Sequence, residues 1–271
     1  MASNIFLGRD FKAERYAIYA LRGLIRIITY PLQFGGNTRL KHKVRLAILK
    51  LQNSLPIEMT ACKGDVVMQI GTPRPRTIER FRKAVGDTGT VVVLEAEPEN
   101  FARLNQWCEQ QGYQNVVLVE AAAWSKSGRG TLSLSPFSGD HKVALTNVSV
   151  DNDRRSGNAE MAEIDCQFLT IDEVMSANKI PRLNYLSVTV NGGELEVLKG
   201  ATETLSAMNV RVYAKGHALL DNGEAINVPI RHFLSSLGYN TIRTRGEPSS
   251  TLDPAWRWRA GDVYAWKNTG S

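Results

Sequence analysis

The chain has 271 residues, 43% of them hydrophobic, and a net charge of +6. This is the size and make-up of an ordinary globular protein, with enough chain for one large domain plus an extension. Cys62, Cys108 and Cys166 lie far apart with no C-x-x-C spacing, which argues against a zinc site or a disulfide framework and fits a reducing compartment.

The charge is uneven. Residues 1–55 carry ten cations and two acids, a net +8, and the rest of the chain totals −2. The opening MASNIFLGRDFKAER turns charged before any apolar run long enough for a signal peptide. Residues 11–30 read as a helix, with Lys12, Arg15, Tyr19, Arg22 and Arg26 on one stripe. Ile18, Leu21, Leu24, Ile25, Ile27 and Ile28 fill the apolar remainder. Pro31 ends or kinks this segment, and a second basic helix is expected over 38–52.

The apolar run is too short, and too interrupted by Arg22 and Arg26, to span a bilayer. It suits an interface, with arginines at the headgroups and isoleucines below. The basic extension, residues 1–58, has two readings. Either it packs on a sheet edge with its cations in water, or it docks through Arg15, Arg22, Arg26, Ile18, Leu21 and Ile25 on an anionic membrane surface or a membrane protein complex. No nucleic-acid partner is expected, because neither aromatic platforms nor a known motif accompanies the charge.

From residue 63 onward, strands and helices alternate. Strands are expected at 65–70, 90–94, 115–119, 185–190 and 210–214, and a short one at 131–135. Helices are expected at 77–85, at 98–111 with Pro98 in the first turn, and at 170–178 with a Thr170/Glu173 capping box. Further helices are expected at 194–207 and 225–237. A terminal pair, 240–245 and 262–267, reads as antiparallel. Residues 136–160 are polar and read as a long loop. The pattern predicts an α/β domain over 59–271, a doubly wound and mostly parallel sheet with one reversed strand near an edge. The run PAWRWR alternates Trp256 and Trp258 with arginines, either an interface patch or a strand with its tryptophans turned inward.

Three segments carry a family resemblance: VVMQIGTPRPRTIERF, GTVVVLEAEPENFARL and LNYLSVTVNGGELEVLKGATETL, with FLTIDEVM in support. In this order and spacing they resemble the FkbM-type S-adenosylmethionine-dependent methyltransferases. The resemblance covers roughly residues 60–267. It implies a Rossmann-like class I methyltransferase sandwich with a seven-stranded sheet and a C-terminal antiparallel strand, here preceded by N-terminal helices. It also implies a cofactor at the carboxyl ends of the first strands, with Gly71 at the close backbone approach and Glu95 accepting the ribose hydroxyls.

Against the family pattern the chain departs at several positions. Gln69 stands for the usual first-motif acid, and Thr72, Pro73, Arg74 and Pro75 replace the usual turn. Ser187, Thr189 and Asn191 replace a Lys, Asp and Glu, and Lys215 replaces the acid after the fifth strand. Glu194 and Glu196 read as solvated acids favoured by a helix N-terminus. These departures carry three expectations. The first is a non-catalytic, methyltransferase-like accessory subunit with no cofactor and no metal. It would be cytoplasmic and peripheral to the inner membrane, on a membrane complex such as an energy-transducing assembly. The second is an active S-adenosylmethionine-dependent O-methyltransferase acting on a sugar, lipid or secondary metabolite. The third is a module that uses Arg74 and Arg76 to hold another anion.

Overall fold

The computed structural model describes residues 59–71, 74–134, 142–143, 148–149, 162–216, 218–220, 224–244 and 261–268. In chain order the elements are β1 (Val66–Ile70), α1 (Pro75–Val85), β2 (Thr90–Glu95), α2 (Pro98–Gln111), β3 (Val116–Glu120), β4 (Ala122–Ala123), β5 (Gly128–Leu134), β6 (Lys142–Val143), β7 (Val148–Ser149) and β8 (Ala162–Leu169). They continue as α3 (Ile171–Ala177), β9 (Tyr185–Val188), α4 (Glu194–Lys199), α5 (Thr202–Ala207), β10 (Arg211–Ala214), β11 (Leu219–Leu220), α6 (Asn227–Ser236), β12 (Thr241–Thr244) and β13 (Val263–Trp266).

Seven strands form one sheet in the order β12-β13-β10-β9-β1-β2-β3. The pairs β1–β2, β1–β9, β9–β10 and β2–β3 are parallel, and β13 is antiparallel to both β10 and β12. The expected sheet, with one reversed C-terminal strand near an edge, is therefore present. The central strands read as apolar runs, VVMQI and TVVVLE, because parallel strands are covered on both faces. Val67, Val91, Val93 and Tyr185 face α1 and α2, against Ile78, Phe81, Val85 and Leu104. Met68, Val92, Leu186 and Val212 face the other way, against Val174, Val197, Leu198, Leu205, Ile230 and Leu234. Each such fully buried aliphatic stabilises the fold by about 1.5–3 kcal/mol.

Local signals set the helix ends. Thr170 caps α3 through a capping box with Glu173, and Pro75 and Pro98 occupy the first turns of α1 and α2. The helix expected over 194–207 is instead two short helices. They break at Gly200, where a Cβ would lie 2.0 Å from the Trp124 carbonyl oxygen, so the chain passes too close for any side chain. The strand β8 carries no expectation from the sequence. It pairs antiparallel with β5 in a second, four-stranded sheet, order β4-β8-β5-β6. The loop expected over 136–160 contains β6 and β7, which pair with β5 and β11.

All three cysteines are free, and Cys62 is exposed rather than in the core. The basic extension and its domain boundary, with Arg15, Arg22, Arg26, Ile18, Leu21 and Ile25, lie outside the described residues, as do Trp256, Trp258, Thr72, Pro73 and His217. Among the described residues no helix is long and apolar enough to cross a membrane.

Candidate active site

The last apolar row across five adjacent strands is Leu94, Ile70, Val188, Ala214 and Val263, joined by direct register pairs. None of the five is more than 1% exposed. One residue further along each strand the chemistry changes, and the next row is Glu95, Gly71, Thr189, Lys215 and Asp262. The ladder carries through this step. Gly71 N donates to Leu94 O at 3.0 Å, Thr189 N to Ile70 O at 3.0 Å and Lys215 N to Val188 O at 2.9 Å. The sheet thus presents an acid, a bare backbone, a hydroxyl, a cation and a second acid side by side, at the edge where open α/β sheets bind ligands.

Gly71 has φ +70°, and a Cβ there would lie 2.9 Å from the Thr189 carbonyl oxygen, so both conformation and space require glycine. Glu95 is buried at the end of β2, and its Oε1 accepts from the Glu97 amide at 3.2 Å. Glu97 stands at the N-cap position of α2, and its side chain accepts from Asn100 rather than from a helix amide. Gln69 is buried below Gly71. Its Nε2 donates within reach of Thr189 Oγ1 at 2.8 Å, Gly71 O at 3.0 Å and Ile70 O at 3.1 Å. Ser187 is buried opposite Gln69 in register and continues the row to Tyr213.

Asn191 is buried at the glycine turn, and Lys215 Nζ donates to its Oδ1 at 3.4 Å. Glu194 is buried, not solvated as expected. Its Oε2 accepts from the Gly192 amide at 3.0 Å. Burial pushes its pKa up to about 8. Backbone amides and Lys215 pull it down, and Asp262 pushes it further up. Asp262 is buried and accepts from the Tyr213 hydroxyl, whose pKa rises through burial and that neighbouring charge.

The structure brings Gln69, Gly71, Glu95, Ser187, Thr189 and Asn191 to one edge. Pro75 is harmless there. It stands at the first helical position of α1, where the amide that proline lacks has no intrahelical partner anyway. Arg74 and Arg76 are exposed at the start of α1. Sequence reasoning missed Asp262, because on a reversed strand the entry residue, not the last one, reaches the ligand edge. The signal was its place just before the apolar run VYAW.

Residues 61–241 match the Methyltransferase FkbM domain family. The chain belongs to this family. It is 31% identical over 133 residues to the hexuronic acid methyltransferase AglP of Haloferax volcanii, a match covering 48% of this chain and 48% of that protein. The match thus spans about half the length of that curated relative. The solved structure of a methyltransferase FkbM from Methylobacillus flagellatus superposes with a TM-score of 0.50 at 12% identity, covering 89% of this chain and 59% of that one. That likeness establishes the Rossmann-like methyltransferase fold.

The expectation of a non-catalytic accessory subunit is thereby overturned: the chain belongs to a methyltransferase family and has a named enzyme among its relatives. Gln69 and Thr189, which stand where the family pattern has charged residues, bond one another, and Pro75 fits its helix. The row also fits S-adenosylmethionine. Gly71 leaves backbone where a side chain would block approach, and Glu95 sets a buried carboxylate at the end of β2. A carboxylate has about four lone-pair sites, so the Glu97 contact does not saturate it.

Proposed function

We propose that this chain is an S-adenosylmethionine-dependent O-methyltransferase that acts on a sugar hydroxyl. The observation that carries the reading is family membership over residues 61–241 together with the Glu95–Gly71–Thr189–Lys215–Asp262 row at the strand ends. The hexuronic acid methyltransferase relative favours a sugar over a lipid or secondary metabolite.

When bound, S-adenosylmethionine supplies an electrophilic methyl group. Gly71 and Glu95 would hold it, the glycine by close backbone approach and the acid by accepting ribose hydroxyls. Gln69 and Thr189 fix the Gly71 carbonyl from below, so the turn is set before ligand arrives. At the other end of the row, Asp262 is assigned to take the proton from the acceptor hydroxyl. Lys215 and Tyr213 hold that carboxylate's surroundings, and Glu194 braces the turn that presents Asn191.

The test is transfer of labelled methyl from S-adenosylmethionine to glucuronate, galacturonate and glucose by the purified full chain. Label in a base-stable ether on any of these sugars supports the reading. No label in any sugar, with S-adenosylmethionine bound, contradicts it.

A further inference from the structure

Beside the strand-end row, α1 presents a mainly basic face. Arg74, Arg76, Arg80 and Lys83 are all exposed there. With Thr77 and Glu79 they line a groove of about 470 Å³. Arg76, Arg80 and Lys83 follow a four-then-three spacing and so lie along one stripe of the helix. The opposite stripe, Ile78, Phe81 and Val85, is buried against the sheet, which holds the basic stripe outward on a rigid element.

Among the described lining residues Glu79 is the one acid, and it is committed to Lys83, Oε1 to Nζ 2.5 Å; that bond and the Lys83 charge, with a smaller pull from Arg76, lower its pKa. Among the described lining residues, three arginines therefore stand in excess over the acids. The contrast with the chain around them is sharp, because residues 56–271 together total −2.

The basic face also starts beside the strand-end turn: Arg74, the N-cap just ahead of the stripe, is three residues beyond Gly71. From there to Lys83 is nine residues, a length of about 13 Å along a helix. A groove of this length and sign suits a chain of regularly spaced carboxylates, and guanidinium groups match carboxylates in a planar, two-point geometry.

We propose that α1 binds the flanking residues of an acidic oligosaccharide acceptor, through Arg74, Arg76 and Arg80. The inference rests on the sugar reading above and specifies its substrate as an acidic sugar chain. The groove tracks the unreacted residues while one residue reaches the strand-end row.

The test is calorimetric titration of the full chain with tetragalacturonate, with maltotetraose as the neutral control, beside the doubly substituted Arg76→Gln, Arg80→Gln protein. Tetragalacturonate should bind and maltotetraose should not. The double substitution should weaken binding about tenfold or more, and raising the salt should weaken the parent protein's binding, since exposed charges are screened. S-adenosylmethionine affinity, measured on the same samples, should not change, which separates groove loss from misfolding. Equal binding of the acidic and neutral chains, no binding of either, or an unchanged affinity in the double variant would each overturn the inference. Methyl transfer to a monomeric sugar would still stand in those cases, so failure here is distinct from failure of the methyltransferase reading.

Discussion

Gln69 Nε2 donates to Thr189 Oγ1 at 2.8 Å across the seam between β1 and β9, and the Thr189 hydroxyl lies 2.5 Å from the Gly71 carbonyl oxygen. An amide and a hydroxyl thus tie the glycine turn to the neighbouring strand. Thr189→Val keeps the β-branched shape and removes the hydroxyl. It leaves the Gly71 carbonyl and the Gln69 amide each one partner short, so it should cost about 1–2 kcal/mol. Urea unfolding of the variant beside the parent protein reads this directly; equal midpoints and equal slopes would show that the tie contributes nothing.

Asp262 stands at the acceptor end of the row, one residue past the Ala214↔Val263 pair. Asp262→Asn keeps the size and loses the base. Methyl-transfer kcat should fall by about 10²–10⁴-fold, and S-adenosylmethionine affinity should stay within about threefold of the parent value. A variant that retains kcat would move the proton transfer to another group.

Glu194 makes stability depend on pH. Its folded pKa, about 8, is raised mainly by burial from the ordinary 4.5. Between these two values the folded state holds a proton that the unfolded state has released. This contribution is fully present below about pH 4.5 and is lost as pH rises through 8, at a slope on the order of 1 kcal/mol per pH unit. Glu194→Gln removes the titration. The variant should therefore gain stability relative to the parent between pH 5.5 and pH 8.5, as read by denaturant unfolding at the two pH values. A constant difference between the two proteins would mean that Glu194 is ionised throughout.

Gly200 separates α4 from α5 where a Cβ would meet the Trp124 carbonyl oxygen at 2.0 Å. Backbone cannot step aside as a flexible side chain can, so Gly200→Ala should lose about 1–3 kcal/mol or more. Gly112 provides the comparison, since nothing lies within 4 Å of its Cβ position, although its φ of +65° still disfavours a side chain. Thermal melting should show a clearly larger drop for Gly200→Ala than for Gly112→Ala.

Where the period of the sequence is unambiguous, the fold could be read from it. VVMQI and TVVVLE are short, Val-rich runs flanked by turn residues and so read as buried strands, and Thr170 with Glu173 marks the start of α3. The second sheet was missed although β8, AEIDCQFL, alternates apolar and polar residues from Ala162 to Phe168; what the sequence does not show is its partner β5, which lies across a long connection. Nor was the break at Gly200, which depends on Trp124, a residue far away in sequence. At the site, Glu95 and Gly71 lie at neighbouring strand ends, where the family resemblance puts them. The contacts of the rest were not legible, because a family pattern compares residue types one at a time. Gln69 and Thr189 looked like two losses and are one hydrogen-bonded pair. Glu194, read as a solvated helix-end acid, is buried and accepts from the Gly192 amide of the turn before it.

The central claim is that the strand-end row holds S-adenosylmethionine, and titration calorimetry of the full chain with that compound tests it most directly. Saturable one-to-one binding is expected, weakened about tenfold or more in Glu95→Ala, whose unfolding midpoint stays close to that of the parent. Absence of binding to the parent protein, or undiminished binding to Glu95→Ala, would contradict it.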